Sequence, residues 1–189
     1  MNTYAAPLLG LVLALPAWAD PLTLTLADPQ PDAASLAPGL AVSYAYGSPI
    51  KTLAHANGLL ADAVPGPALI GLSYLDSEPG EMTLTSKKET KVAAAISGFI
   101  KFDAAGSYQL EIISNDGIIA SIGGQQVALY DEVHACESNG VAEVEVPSAG
   151  WYALEATYFQ RKGSSCLLMD WANGGEMEPV PDEAFAHLK

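Results

Sequence analysis

Residues 114 to 117 read Ser-Asn-Asp-Gly and sit between two strand-like runs, QLEII and IIASI. Asn115 offers a carbonyl acceptor and an amide donor suited to a hydroxyl or a backbone carbonyl, while the Asp116 carboxylate only accepts. Together they could hold a polar guest, provided that their oxygens converge toward solvent. Asn, Asp and Gly also tolerate positive φ, so the same stretch reads equally as an ordinary hairpin turn. Gly123-Gly124 is taken as a second hairpin turn, because a lone double glycine does not mark a phosphate cradle.

The remaining chemically capable residues form no catalytic set. His55, His134 and His187 are far apart in sequence, with no carboxylate or cysteine at metal-ligand spacing, and read as surface or packing residues. The stretch KGSSC lacks the Gly-x-Ser-x-Gly spacing of a hydrolase nucleophile turn. Glu143 and Glu145 share one face of a strand, whereas a glycosidase pair comes from facing walls of a cleft. Arg161 and Lys162 fall at an expected hairpin tip and read as a solvated pair. Trp151, Tyr152, Tyr158 and Trp171 would stack on sugar rings if exposed, but aromatics in β-sandwiches are usually core. No nucleophile and base can be placed together, so a non-enzymatic chain is expected.

The 189 residues carry 22 acidic against 8 basic side chains, a formal net charge of -14. Such a field repels phosphate backbones and anionic headgroups, and no nucleic-acid partner is expected. Residues 1 to 19 read as a secretory signal: an apolar run from Leu8 to Leu15, Pro16, then small residues at Ala17 and Ala19 for cleavage before Asp20. Only the amino terminus supplies positive charge ahead of that run. The run is too short for a membrane anchor of about 20 residues, so a secreted or periplasmic protein with no membrane insertion after cleavage is expected. In an exported chain, Cys136 and Cys166 read as a disulfide, stabilising by roughly 3 to 4 kcal/mol on the chain-entropy estimate.

These residues must be positioned by strands. PLTLTLAD alternates Leu against Thr, PQPDAASLAPG breaks the pattern, and LAVSYAYG resumes it with Val42, Tyr44 and Tyr46 on one face. Residues 47 to 80 are rich in breakers, with IKTLAHANGLLADA open to a short helix. From EMTLTS onward alternation returns in KVAAAISGFIKF, SYQLEIIS, GIIASIG, QQVALYDEV, VAEVEVP, WYALEATYF and CLLMDW. Two strands echo each other, AGSYQLEI and AGWYALEA, each placing Tyr and Leu on one face after a glycine. The closing VPDEAFAHLK would form one or two helical turns. The fold class expected is all-β, an antiparallel β-sandwich or barrel with at most short helical turns. Residues 20–38 are read as an N-terminal strand and lead-in, and 39–189 as the domain.

The segments GLAVSYAYG, FIKFDAAGSYQLEIISNDGIIASIGGQQV, VPSAGWYALEATYFQRKGSSCLLMDW and EPVPDEAF together resemble the PA-fourteen domain family, named after the anthrax protective antigen. The resemblance spans roughly residues 39 to 186. It implies a β-sandwich module of the kind found in adhesins, glycosidases and toxins. In sugar-binding members, two successive aspartates in the central turn bind calcium, which bridges sugar hydroxyls. The matching positions here are Asn115 and Asp116, so the resemblance implies ligand and calcium roles for both. Calcium takes about 6 to 8 oxygen ligands and binds less tightly as neutral ligands replace charged ones, so Asn115 should weaken such a site without abolishing it. A carbohydrate-binding module with a glycan partner is the expectation. The other reading is a structural or protein-interaction module of the cell envelope, in which the turn is scaffolding.

Overall fold

The computed structural model describes residues 21–189. The signal read on residues 1 to 19 lies outside the described residues. Fourteen strands are seen among those described: β1 (Leu22–Thr23), β2 (Leu36–Pro38), β3 (Ala41–Tyr46), β4 (Val64–Pro65), β5 (Ser73–Tyr74), β6 (Val92–Phe102), β7 (Gly106–Asn115), β8 (Ile118–Ile122), β9 (Gln125–Tyr130), β10 (Glu137–Val146), β11 (Gly150–Gln160), β12 (Cys166–Ala172), β13 (Glu178–Pro179) and β14 (Phe185–Leu188). One sheet runs β1-β10-β7-β12-β13, with β5 also on β12. The other runs β2-β14-β6-β11-β8-β9, with β3 on β6 and β4 on β3. Pairing is antiparallel throughout except for β1, which lies parallel to β10. The two edge neighbours β3 and β14 share β6, one opposite residues 92–97 and the other opposite Phe99 and Ile100.

The core follows from alternation. On β7, Tyr108, Leu110 and Ile112 are buried, and on β11 so are Tyr152, Leu154 and Tyr158. The sequence echo between these strands has a structural counterpart, because β7 and β11 occupy opposite sheets and face each other across the core. Each begins at a glycine with positive φ, 144° at Gly106 and 149° at Gly150. Each tyrosine hydroxyl donates back to the carbonyl four residues earlier, Tyr108 to Ala104 at 3.1 Å and Tyr152 to Ser148 at 2.6 Å. Phe102 lies between the sheets, edge-on to Tyr108 at 4.9 Å and Tyr152 at 5.4 Å, with Trp171 at 5.6 Å. Tyr152 and Tyr158 therefore belong to the interior and do not serve as sugar platforms, while Trp171 is half-buried and packs against the same cluster.

One local expectation changes and two are given definite form. Glu81–Ser86 forms turns instead of a strand, with Thr83 N–H bonded to Lys88 O at 2.9 Å and Ser86 N–H to Thr83 O at 3.0 Å. The closing segment makes only one 3₁₀ turn, Asp182–Ala184, before β14, because buried Phe185 and Ala186 complete the edge of β6. The stretch left open to a helix does form one, α1 (Leu53–Leu60), whose Thr52 hydroxyl caps His55 N–H at 3.2 Å.

The largest difference concerns residues 115 to 117. Strand β7 belongs to the smaller sheet and β8 to the larger, so Asn115-Asp116-Gly117 carries the chain from one sheet to the other and is no hairpin. The connections 131–136 and 161–165 make the same kind of crossing, from β9 to β10 and from β11 to β12. Strand direction puts all three at one end of the sandwich. Phe102→Ala should remove the centre of the aromatic packing and cost about 3 to 5 kcal/mol. Urea unfolding measures this, and a loss below about 1 kcal/mol would show that the sheets are held together elsewhere.

Candidate functional site

The crossing at Asn115 and Asp116 is built from backbone upward. Gly117 O accepts from Phe159 N–H at 2.9 Å, and Asp116 N–H reaches Phe159 O at 3.3 Å, stitching the crossing to the end of β11. A Cβ on Gly117 would stand 2.3 Å from the Phe159 ring and 2.9 Å from Tyr130 O, so only glycine allows this approach. The Asn115–Asp116 peptide bond is cis. Tyr158 hydroxyl donates to Asn115 O. Asp116 O accepts from Ser114 Oγ at 2.8 Å and from His134 Nε2 at 2.9 Å, which places the His134 proton on Nε2. His134 stacks on Tyr130 with ring centroids 3.9 Å apart. Asn139 Nδ2 donates to Ile112 O and to Ser114 Oγ, both at 2.9 Å. Arg161 N–H donates to Asp116 Oδ2 at 2.6 Å.

These contacts cover the corner more than a solvent-facing turn would allow. Asn115 is 8% exposed and Asp116 2%. The physical reason is the sheet crossing: a hairpin projects beyond its two strands, whereas a crossing is roofed by the neighbouring crossings. Cys136 and Cys166 are joined by a disulfide, and Cys166 is the register partner of Asn115. The bond fixes the connection carrying His134 to the strand beside Asn115.

The corner is incompletely satisfied. Among the described residues, four buried side-chain polar atoms have no hydrogen-bond partner: Asn115 Oδ1, Asn139 Oδ1, Gln160 Oε1 and Arg161 Nε. All four belong to this end of the sandwich. Gln160 spends its amide donor on Gly163 O at 3.1 Å and Ser164 O at 3.0 Å, holding the 161–165 connection and leaving its oxygen free. A buried polar atom without a partner costs about 1 to 3 kcal/mol, so a cluster of them calls for water, an ion or a ligand. Burial pushes the Asp116 carboxyl above the usual carboxylate range, opposed by the Arg161 N–H and the His134 and Arg161 charges. Tyr158 is pushed well above the usual phenol range, first by burial and then by the Asp116 charge.

Asn115 Oδ1 and the Asp116 carboxylate are oxygen donors of the kind a divalent cation takes. Asn115 Oδ1 lacks a partner and burial raises the Asp116 carboxyl above the usual range, both of which a cation would relieve. Only one carboxylate takes part. The one group of three potential metal ligands among the described residues is Asp76, Cys136 and Cys166, and its two sulfurs are committed to the disulfide. The remaining ligands for calcium would be neutral oxygens.

Sequence reasoning set aside two residues that the fold brings to the corner, His134 and Arg161. Their sequence distances from Asp116 hid them, and only the three-crossing geometry unites them. His187 bonds Gly39 O at 2.9 Å at a distant edge, and Glu145 pairs with Ser107 on the open face of β10. A broader hollow on the outer face of the larger sheet, lined by Ala95, Ser97, Ile119, Ser121, Gln126 and Glu155, gathers no comparable set of groups.

The family model described as PA14 domain matches residues 80–184, more than half of the chain. No curated protein matches the sequence. Among solved structures, the PA14 domain of MpAFP antifreeze protein superposes with a TM-score of 0.68 at 17% identity, covering 85% of this chain and 95% of that one. A structure described as the PA14 sugar-binding domain from RTX adhesin gives 0.61 at 17% identity, covering 79% and 98%. The Epithelial Adhesin 6 A domain from Candida glabrata, solved in complex with Galb1-3GlcNAc, gives 0.68 at 13% identity, covering 89% and 94%. At these identities the likeness is one of fold.

The Asp116 ionisation has a definite sign. Because its folded pKa is raised, the native state holds the proton more tightly than the unfolded chain, so this group's contribution falls as pH rises from the ordinary aspartate value through the raised one. Asp116→Asn keeps an acceptor for Arg161 N–H and removes the charge. In chelator, its melting temperature relative to wild type should be most favourable at pH 7 and become less so toward pH 4. Thermal melts across that range decide the matter, and an advantage that grows on acidification would contradict the assignment.

Proposed function

Given that the chain belongs to the PA14 domain family, we propose that it is an exported, non-enzymatic carbohydrate-binding module whose site is the sheet crossing at Asn115 and Asp116. The observation that carries this reading is the concentration of unpartnered buried polar atoms at that one corner. Three are acceptors and one is a donor, the mixture that sugar hydroxyls, which both donate and accept, complement. The solved structures of like fold include one described as sugar-binding and one holding a disaccharide, which supports the same ligand class. Export is supported by the disulfide and by the signal read on residues 1 to 19.

Calcium, when bound, would be held by Asn115 Oδ1 and the Asp116 carboxylate, and would supply a local positive charge for sugar hydroxyl oxygens. Asp116 then remains ionised despite its burial. The Arg161 N–H and the His134 contact keep that carboxylate and its carbonyl in place whether or not the cation is present. The 2% exposure of Asp116 favours a second reading, in which the crossing is scaffolding for an envelope interaction module.

Binding of the oxidised protein to a glycan array, with calcium and with chelator, separates these readings. The expected outcome is retention of a restricted glycan set, weakened at least tenfold by chelator. Calcium at a hundredfold above its dissociation constant should add about 2.7 kcal/mol of stability, and Asp116→Ala should abolish that increment along with glycan retention. Absence of any retained glycan under both conditions, or a loss of stability in Asp116→Ala that ignores calcium, would support scaffolding instead.

A further inference from the structure

We propose that Arg161 directs this site toward sugars that carry a carboxylate, the uronic-acid class, in preference to neutral sugars. The inference rests on the carbohydrate-binding reading and narrows its ligand. Arg161 is the single arginine of a chain with 22 acidic side chains. In so acidic a protein an arginine is expected to find a carboxylate of its own. It does not: the ion pair found among the described residues joins Lys101 to Asp103 at 2.6 Å, and Arg161 Nε is buried without a hydrogen-bond partner. Its backbone is nevertheless fixed at the corner by the 2.6 Å bond from its N–H to Asp116 Oδ2.

A guanidinium is always charged and presents its donors as a planar fork that matches a carboxylate. The guanidinium acts on the Asp116 charge without a hydrogen bond to it, and its buried Nε–H is left without an acceptor. The neighbouring orphans have the opposite polarity. Asn115 Oδ1 and Gln160 Oε1, on residues 8% and 0% exposed, are acceptors without donors. An inorganic anion would satisfy the arginine and leave these oxygens unpaired, whereas a neutral sugar would satisfy the oxygens and offer the arginine only uncharged hydroxyl acceptors, weaker than a carboxylate. A hydroxylated ring with a carboxylate supplies both.

The surrounding charges are consistent with such a guest bound on the arginine side. Lys162 follows on the same connection and is exposed. His134 Nε2 is committed to Asp116 O and is not available. Asp116 is buried and Asp76 lies beside the disulfide, and both carboxylates oppose an anion placed against them.

The test compares the methyl glycosides of galacturonate, glucuronate and mannuronate with their methyl esters, which keep every ring hydroxyl and lose the charge. Titration calorimetry at fixed ionic strength, with calcium and with chelator, gives the affinities. At least one free acid should bind wild type tenfold or more tightly than its ester. R161Q should erase that difference, bringing acid and ester to one affinity, and R161K should restore only part of it. Equal binding of acid and ester by wild type, or a preference that survives in R161Q, would overturn the proposal. If no sugar in either series binds while the glycan array retains a neutral sugar, this proposal fails and the carbohydrate reading stands; if the array retains nothing as well, both fail. Should R161Q fail to fold, the comparison of acid with ester on wild type still decides.

Discussion

Asp116 is the tie on which this end of the sandwich depends. Its N–H is bonded to Phe159 O, its carbonyl receives Ser114 Oγ and His134 Nε2, and its Oδ2 receives Arg161 N–H. One residue thereby joins all three sheet crossings. A buried carboxylate is expensive to ionise, as its raised pKa reflects. The fold accepts that cost because the same carboxylate fixes where the 161–165 connection starts. Position follows from this tie: Arg161 cannot drift from Asn115 while its backbone is bonded to the adjacent residue.

The disulfide acts on the same corner from the other side. The first turns of β10 and β12 flank β7, with Glu137 opposite Ser114 and Cys166 opposite Asn115. Joining Cys136 to Cys166 therefore spans the end of β7 and closes the three-strand row over the crossing. A site made from connections is ordinarily mobile, and precise recognition requires support behind the contacting groups. Here the support is covalent on one flank and a buried tyrosine, Tyr158, beneath.

The sandwich was legible in the sequence because alternation encodes which side of a strand is buried. Val42, Tyr44, Tyr108, Leu110, Tyr152 and Leu154 all fall on the core side as their spacing requires. Alternation does not encode which sheet a strand joins, and that is why QLEIISNDGIIASI reads as a hairpin while β7 and β8 part company at Asn115. The identity of Asn115 and Asp116 as candidate groups was visible from residue type alone. Their burial was not, since it arises from connections 18 and 45 residues away through His134 and Arg161. Glu81–Ser86 misled for a related reason: buried Thr83 and Ser86 satisfy each other and Lys88 through local turns, which polar residues permit and an alternating pattern cannot distinguish from a ladder.

The overall charge and the local charge at the corner point in opposite directions, and distance reconciles them. At physiological ionic strength the Debye length is about 8 Å, so carboxylates spread over the surface act on an approaching polyanion through their sum but barely reach a single distant group. A nucleic acid, with charge along its whole length, would meet the repulsion of a net charge of -14. One carboxylate on an otherwise neutral ring meets chiefly the guanidinium at contact. Arginine suits that role better than lysine because its weaker hydration lowers the cost of holding the charge partly buried until a partner arrives. An acidic exterior with an arginine unpaired among the described residues would thus, at the proposed site, discriminate between anions by size and multiplicity.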